Sequence, residues 1–272
     1  MLFKRWVVGL LLFILFIQAR ASSFMPAVTN YLAKDYEAGY QNWACAQGSN
    51  GEMFFGNSQG LLVYDGYRWK LHKAPGNHIV RSVYVKEDRI YVGAFEEFGY
   101  FKYSEAGTLR YHSLSKFLKN FPMENNEIWN IVELDGRIYF QSFSAWFSYD
   151  GKMVRAFRNR QQQPLYFYNQ NGHIYTQMID EGFYEFDGKE FHHLFPRSKV
   201  NDDNVVALLP DGNNSFLMVT ENNGLFRYTG DITPWKTDID AELKKQRVNR
   251  AVMTNDSIFM IGTVLNGICA IA

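Results

Sequence analysis

The sequence contains only two cysteines, Cys45 and Cys269, in 272 residues. Exported proteins that are held together by disulfides are dense in cysteine, so this chain is not built on a disulfide scaffold. Both cysteines stand within apolar, strand-like segments. We therefore expect each of them to be a small buried hydrophobic residue.

An excess of either charge is also missing, because 28 lysines and arginines are balanced by 28 aspartates and glutamates. A surface that binds nucleic acid needs a basic excess to displace counterions from the phosphates. We therefore expect no direct contact with nucleic acid. The neutral, mixed composition suits a neutral ligand or a protein partner.

Long apolar runs are missing after the first 21 residues. Lys4 and Arg5 precede the unbroken apolar run Trp6–Ile17, and Ala19-Arg20-Ala21 follows it. A basic start, a short apolar core and an A-x-A end are the three parts of a secretory signal, and the run is shorter than the roughly 20 residues that span a bilayer. We assign residues 1–21 to a signal peptide, with an uncleaved membrane anchor as the alternative, and residues 22–272 to the exported part of the chain.

Common catalytic and metal-binding motifs are missing as well, since the sequence has no P-loop, no H-E-x-x-H and no C-x-x-C. Gly56-Asn57-Ser58-Gln59-Gly60 matches the G-x-S-x-G elbow of hydrolases, but that elbow leads into a helix, and a strand-like run follows here. His192 and His193 are neighbours, as are Glu96 and Glu97, and neighbouring strand residues point to opposite faces. We expect no catalytic residue, no metal and no cofactor.

Aromatic residues, in contrast, make up 17% of the sequence, and they favour half-buried strands. One short pattern recurs: glycine or alanine, two or three apolar or aromatic residues, then an aromatic residue that usually precedes Asp-Gly or a related pair. Its six copies are Gly60–Gly66, Gly99–Tyr103, Ala145–Gly151, Gly182–Gly188, Gly224–Gly230 and Gly267–Ile271. They begin 37 to 46 residues apart.

Each copy lies in similar surroundings. A first strand such as Ile79–Val85 leads to a turn such as Asp135-Gly136, then to a second strand such as Arg137–Gln141. The repeated strand, a second turn and an outer strand such as Tyr67–His72 or Lys189–Leu194 follow. Asn-Gly and Asp-Gly favour tight hairpins because both residues tolerate positive φ. Four strands in about 40 residues, repeated, predict the blades of an all-β β-propeller.

The connections between blades and the end of the chain complete the predicted architecture. Short helices are predicted at Ser115–Asn120 and Asp240–Gln246, between blades. The chain ends inside the third strand of the sixth copy, and residues 24–40 could supply a closing strand. We expect an interrupted seven-bladed ring, and therefore a piece of a longer protein, in preference to a six-bladed ring that lacks one strand. Because an open ring exposes a sheet edge, residues 22–272 alone are expected to self-associate.

Longer motifs occur in a fixed order along the chain. They are Asn30-Tyr31, Tyr36–Trp43, Phe55–Asn57, Val92–Tyr100, Glu127–Trp129, Tyr139–Phe143 and Gly262–Ile268. Together they resemble the two-component-regulator propeller region of Bacteroidetes membrane regulators. The resemblance covers essentially the whole of residues 22–272.

This resemblance implies more than the chain contains. Such regulators carry a periplasmic propeller, a triple-tyrosine β-sandwich domain, a transmembrane helix, and a cytoplasmic LuxR-type helix-turn-helix or histidine-kinase module. The sequence holds none of the later parts, so the resemblance implies that they are its missing partners. It also implies a glycan-derived signal, an oligosaccharide ligand, control of transcription, and a dimer formed through the sensor region.

The repeat predicts where a ligand binds. In a propeller, the starts of the innermost strands and the loops between second and third strands lie on one face around the channel. The candidate ligand-binding residues on that face are Asn42, Trp43, Arg81, Glu96, Glu97, Trp129, Asp180, Glu181, Asn222, Arg250 and Asn266. Asn130, Asn204 and the loops at 57–59, 142–144 and 221–223 belong to the same face. Amides, carboxylates and aromatic rings suit sugars; each residue alone could also be a polar loop tip that keeps the face soluble.

Three functions are compatible with these observations. The first is a non-catalytic sensor propeller of a membrane-spanning regulator that responds to glycan-derived signals. The second is a stand-alone secreted propeller that binds or scaffolds a partner. The third is an enzyme such as a lyase or hydrolase, for which the sequence shows no recognisable set of catalytic residues.

Overall fold

The protein is described here by a computed structural model that covers residues 28–158, 163–212, 215–254 and 258–271. The predicted signal peptide, residues 1–21, lies outside this range. Residues 33–272 form one compact unit. In the part of the chain that is described, no helix is long and apolar enough to cross a membrane.

The strands form six antiparallel sheets, which we call blades 1–6, and in each of them the strands follow their sequence order. Blade 1 consists of β1 (Asn42–Gln47), β2 (Met53–Asn57), β3 (Gly60–Tyr64) and β4 (Trp69–His72), and blade 2 of β5 (Val80–Lys86), β6 (Arg89–Ala94), β7 (Phe98–Tyr103) and β8 (Leu109–Ser113). Blade 3 consists of β9 (Asn130–Leu134), β10 (Arg137–Gln141), β11 (Trp146–Tyr149) and β12 (Val154–Phe157), and blade 4 of β13 (Pro164–Gln170), β14 (His173–Met178), β15 (Gly182–Phe186) and β16 (Phe191–Pro196). Blade 5 consists of β17 (Val205–Pro210), β18 (Phe216–Thr220), β19 (Leu225–Tyr228) and β20 (Ile232–Trp235), and blade 6 of β21 (Val248–Met253), β22 (Phe259–Thr263) and β23 (Ile268–Ile271).

Consecutive blades pack face to face. The innermost strands β1, β5, β9, β13, β17 and β21 contact one another in that order. Each junction between consecutive blades holds its own cluster of buried side chains, for example Phe98, Phe140 and Phe147 between blades 2 and 3. The predicted all-β propeller architecture is confirmed. The seven-bladed ring stays a prediction, because the described residues form six sheets, the last of them with three strands.

Short helices connect the blades. The α-helix α1 covers Ala33–Tyr36 and the α-helix α2 covers Asp240–Gln246, as predicted for the latter. Single 3₁₀ turns cover Pro75–Asn77, Ser115–Phe117 and Arg197–Val200. The prediction of a helix as far as Asn120 is wrong. Leu118 has an extended backbone, and its side chain packs with Phe121 against the cluster between blades 2 and 3.

The repeated Asp-Gly pair works through the aspartate side chain. The Oδ1 atom of Asp65 accepts the backbone N–H groups of residues 67 and 68 at 2.8 and 2.6 Å. Asp150 and Asp187 bind the corresponding N–H groups in the same way. These backbone N–H groups lower the pKa of the Asp65 and Asp150 carboxyls. The pKa of Asp187 is lowered first by the hydrogen bond with the His192 side chain and then by the backbone N–H groups. The turn therefore extends three residues past the aspartate, and β4, β12 and β16 each begin four residues after it, which is later than predicted for β4 and β16.

The repeated glycine is required by a close approach of two strands. A Cβ atom on Gly60 would lie 2.4 Å from the carbonyl oxygen of His72, and one on Gly99 would lie 2.2 Å from that of His112. Both carbonyls belong to the outer strand of the same blade. Any side chain at either position would push that strand away.

The prediction that both cysteines are buried is wrong. Cys45 is exposed and Cys269 is partly exposed. Cys45 pairs with Phe55, on the face of blade 1 opposite to Phe54, which packs towards blade 2. An apolar strand pattern alone could not indicate that, within the described residues, no other blade covers this part of β1.

Candidate functional site

The loops between second and third strands lie against the segments that lead into the innermost strands. In blades 1, 2, 4, 5 and 6, a backbone N–H at the start of the loop donates to a carbonyl oxygen just before the innermost strand of that blade or of the next blade. Examples are the bonds from the Ser58 N–H to the Gln41 carbonyl (3.1 Å) and from the Glu221 N–H to the Asn204 carbonyl (2.9 Å). In blade 3 the Ser142 hydroxyl donates to the Asn126 side chain (2.7 Å). The two sets of predicted site residues therefore lie at the same end of the blades.

A β-bulge marks this end of the innermost strands. In β1, Asn42 pairs with Asn57 and Ala44 with Gly56, so Trp43 is an extra residue. The corresponding extra residues are Arg81 in β5, Val206 in β17 and Asn249 in β21. In β13, Leu165 and Tyr166 lie together opposite Gln177, so this strand also holds one extra residue. Just before β9, the Trp129 amide donates to the Gln141 carbonyl (2.9 Å), although Gln141 pairs with Asn130. Because a bulge re-aims the side chain it carries, we call this the bulge end.

Two buried glutamines hold the bulges of the following blades. The Gln141 amide donates to the carbonyls of Pro164 and Leu165 (3.0 and 3.2 Å) and accepts from the Phe167 N–H (2.8 Å). Gln177 donates to the Asp203 carbonyl (2.9 Å) and accepts from the Val205 N–H (2.8 Å). A bulge leaves backbone groups without strand partners, and these amides satisfy them across the junction between blades.

Aromatic and arginine side chains form a continuous row at the bulge end. The aromatic–arginine row consists of Trp43, Arg81, Trp129, Phe143, Tyr166 and Arg250. The Arg81 guanidinium lies over Trp43 (3.8 Å to the ring centroid) and Trp129 (4.9 Å). Trp129 stacks on Phe143 (5.7 Å). The four predicted members Trp43, Arg81, Trp129 and Arg250 thus belong to one arrangement.

Blade 4 completes the row. Phe143 meets Tyr166 edge to face (5.7 Å), and the Arg250 guanidinium of blade 6 lies 4.7 Å from the Tyr166 ring centroid. Arg81 is fixed further by an ion pair with Glu127 (2.5 Å). Trp129, Phe143 and Tyr166 are half-buried and Trp43 is 38% exposed, so the rings keep apolar surface that a ligand can cover.

Polar side chains link blades 4, 5 and 6 at the same end. Arg197 donates to Asp180 and to the Asn204 amide oxygen, both at 3.2 Å. Asn204 donates in turn to Glu221 (3.0 Å), which also forms an ion pair with Arg247. Asp180, Asn204 and the loop residue Glu221 of this network belong to the predicted face, whereas the two arginines were not predicted. Arginine and carboxylate charges are paired throughout it, so the network is close to neutral.

The loop of blade 5 is held by a buried carboxylate. Asp203, which is 6% exposed, accepts the backbone N–H groups of Asn222 and Asn223 (2.6 and 2.8 Å) and both of their side-chain amides (3.0 Å each). The predicted ligand residue Asn222 therefore has its side-chain N–H engaged within the fold.

The other predicted residues lie outside the aromatic–arginine row. The Glu97 carboxylate accepts from Tyr111 (2.8 Å), Ser113 and Ser115, on the outer-strand side of blade 2. Burial and the Glu97 charge raise the pKa of Tyr111, which keeps this tyrosine a proton donor. Glu97 is thus engaged in the blade and not directed to the row.

Asn42, Glu96, Glu181 and Asn266 form local contacts in the loops. Asn42 accepts from the Asn57 amide (2.7 Å), and Glu96 accepts from the Asn125 N–H (2.9 Å). Glu181 accepts from the Tyr184 hydroxyl (2.8 Å), and the Asn266 N–H donates to the Thr263 hydroxyl (3.0 Å). Their role in ligand binding stays a prediction.

Two neighbouring cavities open along the innermost strands. The first has a volume of about 310 Å³ and is lined by Leu165, Tyr166, Asn204, Val206, Glu221, Arg247, Val248, Asn249, Arg250 and Val264. The second, of about 240 Å³, is lined by Asn130, residues 167–170, residues 206–208, Arg250 and Ala251. Val206 and Arg250 belong to both linings. Amides and one aromatic ring next to a cavity of this size can hold a small polar ligand.

Tyr166 is the main residue of the site that the sequence patterns did not indicate. Aligning the fourth copy with the first three at the start of the innermost strand would have placed Tyr166 beside Trp43, Arg81 and Trp129. Its position also depends on the bulge that it shares with Leu165, for which the sequence gives no clear signal.

Features considered for catalysis or metal binding have ordinary contacts. The Ser58 hydroxyl accepts from the Trp43 indole N–H (3.2 Å), and strand β3 follows it at Gly60. His192 pairs with Asp187 (2.9 Å), whereas His193 packs edge to face on Tyr184. Over the described ranges, no three His, Cys, Asp or Glu side chains are grouped as a metal ion would require.

Comparisons with known proteins identify the fold. No protein-family model matches the chain, and no curated protein matches it. The chain is similar to the extracellular domain of the hybrid two-component system BT4673 from B. thetaiotaomicron, with a TM-score of 0.65 and 18% identity over 87% of this chain. It spans about a third (32%) of that chain. At this identity the likeness shows a shared fold, and it confirms at that level the resemblance to regulator propellers.

Other propellers are similar to the same extent. Virginiamycin B lyase from Staphylococcus aureus has a TM-score of 0.64 and 12% identity, covering 88% of this chain and 86% of the lyase. YCF48, in a structure with a D1 peptide bound, has a TM-score of 0.64 and 10% identity, covering 85% of this chain and 76% of YCF48. The fold is therefore shared by a sensor, an enzyme and a peptide-binding protein.

Replacing Gln177 with leucine tests whether the buried amide holds the bulge of the next blade. The variant leaves the Asp203 carbonyl and the Val205 N–H without partners, which should reduce the free energy of unfolding by about 2 to 4 kcal/mol. Thermal and urea unfolding measure the change. Gln59→Leu, at an exposed loop position, is the control and should unfold like the wild type. Equal stability of Gln177→Leu and the wild type would contradict the role of the amide.

Proposed function

We propose that this chain is the ligand-sensing propeller of a membrane-spanning periplasmic regulator. Its ligand is a glycan-derived oligosaccharide that binds at the bulge end. The chain itself is non-catalytic, and the regulatory output belongs to other domains of the same protein.

The observation that carries this proposal is the aromatic–arginine row. A sugar ring presents an apolar C–H face and a rim of hydroxyls. Half-buried rings such as Trp129, Phe143 and Tyr166 can pack against the apolar face. The amides of Asn130, Asn204 and neighbouring residues that line the two cavities can donate to and accept from the hydroxyls.

The regulatory context is supported by the fold. BT4673 is a two-component system, and the part that is similar to this chain is extracellular. This chain spans 32% of that structure, so the sandwich, membrane helix and cytoplasmic module of the resemblance remain part of the proposal. The predicted signal peptide agrees with a periplasmic location.

Tyr166 offers a direct test of glycan binding. We expect at least one member of a panel of arabinan-, galactan-, xylan- and pectin-derived oligosaccharides to raise the melting temperature of the chain. Tyr166→Ala should weaken that binding about tenfold or more, measured by isothermal titration calorimetry, because a ring face that covers the sugar is lost.

Tyr67→Ala is the matched control, because Tyr67 is 83% exposed and lies at the turn before the outer strand of blade 1. This variant should bind like the wild type. Absence of binding across the panel would contradict a glycan ligand, and turnover of any member would replace the sensor with an enzyme.

We also propose that the ring has a seventh blade, packed against blade 6. In blade 5, Leu209, Leu217 and Leu225 pack against blade 6 and are at most 3% exposed. By strand register, Val252 and Ile268 of blade 6 occupy the positions of Leu209 and Leu225. They are 61% and 70% exposed. An apolar sheet face of this kind is normally covered by another blade.

Self-association tests this proposal. Residues 22–272 alone should form dimers or larger species in sedimentation velocity, and the double variant Val252→Asp, Ile268→Asp should shift them towards monomer. The control is Phe117→Asp with Met153→Asp, whose side chains are 57% and 53% exposed but lie elsewhere. A wild-type chain that is monomeric at all concentrations would contradict an uncovered blade face.

A further inference from the structure

A groove with an apolar floor lies on the outer rim of blade 3, away from the bulge end. Its volume is about 720 Å³, and its lining consists of residues 117–121 and 152–157. Leu118, Phe121, Val154 and Ala156 pack against the cluster between blades 2 and 3 and form the floor. Phe117 and Met153 are 57% and 53% exposed and add apolar surface at its sides.

Positive charge surrounds this floor. Lys119, Lys152 and Arg155 line the groove, and Lys116 and Arg158 flank it in the sequence. All five side chains belong to exposed residues. Lys116 lies over the Phe117 ring and Arg158 over the Phe121 ring (5.0 and 4.7 Å to the centroids).

No ion pair among the described residues neutralises these cations, because none of the nine pairs formed there includes one of the five. The carboxylate at the adjoining turn, Asp150, accepts the N–H groups of Lys152 and Met153 (3.0 and 2.8 Å). In a chain with no net charge, the groove is therefore a local concentration of unpaired positive charge.

The groove also borders a free strand edge. Strand β12 is the outer strand of blade 3, and among the residues that the structure describes it pairs only with β11. The neighbouring segment 117–121 forms its backbone hydrogen bonds within its own turn, to Leu114 and Ser115, and not with β12. An edge strand with unpaired N–H and C=O groups can accept a further strand from another polypeptide.

We propose that this groove, defined by residues 117–121 and 152–157, docks an extended acidic segment of a partner polypeptide. The segment adds a strand to β12. Its alternate apolar side chains cover the floor, and its carboxylates pair with the surrounding lysines and arginines. The proposal does not depend on the ligand of the bulge end.

The test measures binding of a fluorescent decapeptide of alternating valine and aspartate by anisotropy. The wild-type chain should bind it, and the affinity should fall as the salt concentration rises. Lys119→Glu with Arg155→Glu should weaken binding at least tenfold. A decapeptide with lysine in place of aspartate, and one with proline in place of every second valine, should bind at least tenfold more weakly than the original.

A matched control variant is available in blades 1 and 2. Lys70 and Arg110 are exposed cations at the second position of the outer strands β4 and β8, as Arg155 is in β12. Lys70→Glu with Arg110→Glu makes the same charge change and should leave peptide binding unaltered. Circular dichroism and melting temperature confirm that both double variants fold.

Three results would overturn the proposal. The first is no binding of the valine–aspartate peptide to the wild type, and the second is equal loss of binding in both double variants. The third is cosedimentation of the chain with phosphatidylglycerol vesicles, lost on Lys119→Glu with Arg155→Glu, without binding of the peptide. In that case the groove would be a surface for anionic lipid.

Discussion

The structure depends on one packing constraint: each four-stranded sheet is apolar on both faces and must cover both of them. A single antiparallel sheet of about 20 residues cannot cover both of its own faces. Here Phe98 and Phe147 stack at 4.9 Å across the junction of blades 2 and 3, and Phe216 meets Tyr175 at 4.9 Å across that of blades 4 and 5. Repetition of such junctions brings the innermost strands together and creates the channel. In blade 6 the exposed side chains Val252 and Ile268 show an apolar face that the described residues leave uncovered.

The bulge end lies on the same innermost strands. Each of them has an extra residue at this end or just before it. The glutamines Gln141 and Gln177 satisfy the backbone groups that the bulges of the next blade free. Consequently Trp43, Arg81 and Tyr166 are held by the frame of the blades. We propose that a ligand meets their side chains, because function in a widely shared fold depends on the residues that the fold holds in place.

Much of the fold could be predicted from the sequence because its signals are local. The turn at Asp135-Gly136 and the strand Arg137–Gln141 depend on residues that lie next to each other in the chain. The later start of β4 and β16 could not be predicted, since it requires the aspartate carboxylate to bind N–H groups up to three residues away. The prediction that Cys45 is buried was wrong for a related reason. The burial of Cys45 depends on whether another sheet packs against this face of β1, and the strand pattern carries no information on that.

The candidate site was predictable to a smaller extent. Trp43, Arg81, Trp129 and Arg250 were found because the repeat aligns them at the start of the innermost strands. Tyr166 was missed because it shares a bulge with Leu165. Arg197 and Arg247 were missed because their contacts join different blades, and Asp203 because its carboxylate binds Asn222 and Asn223, which follow 19 and 20 residues later in the chain. Glu97 has the right position in the repeat, yet Tyr111, Ser113 and Ser115 of its own blade direct its carboxylate outward. The position of a residue in the repeat thus predicts at which end of the blade the residue lies. The direction of its side chain depends on contacts with residues that are distant in the sequence.

The central claim is that the bulge end binds the ligand. It is tested most directly by hydrogen–deuterium exchange of the chain with and without an oligosaccharide that raises its melting temperature. The account predicts slower exchange in the loops at 57–59, 142–144 and 221–223 and at the starts of β5, β13 and β21. The turns Asn50-Gly51, Asp135-Gly136 and Asn171-Gly172 at the other end of the blades should exchange at an unchanged rate. Protection of those turns, with no change at the bulge end, would contradict it.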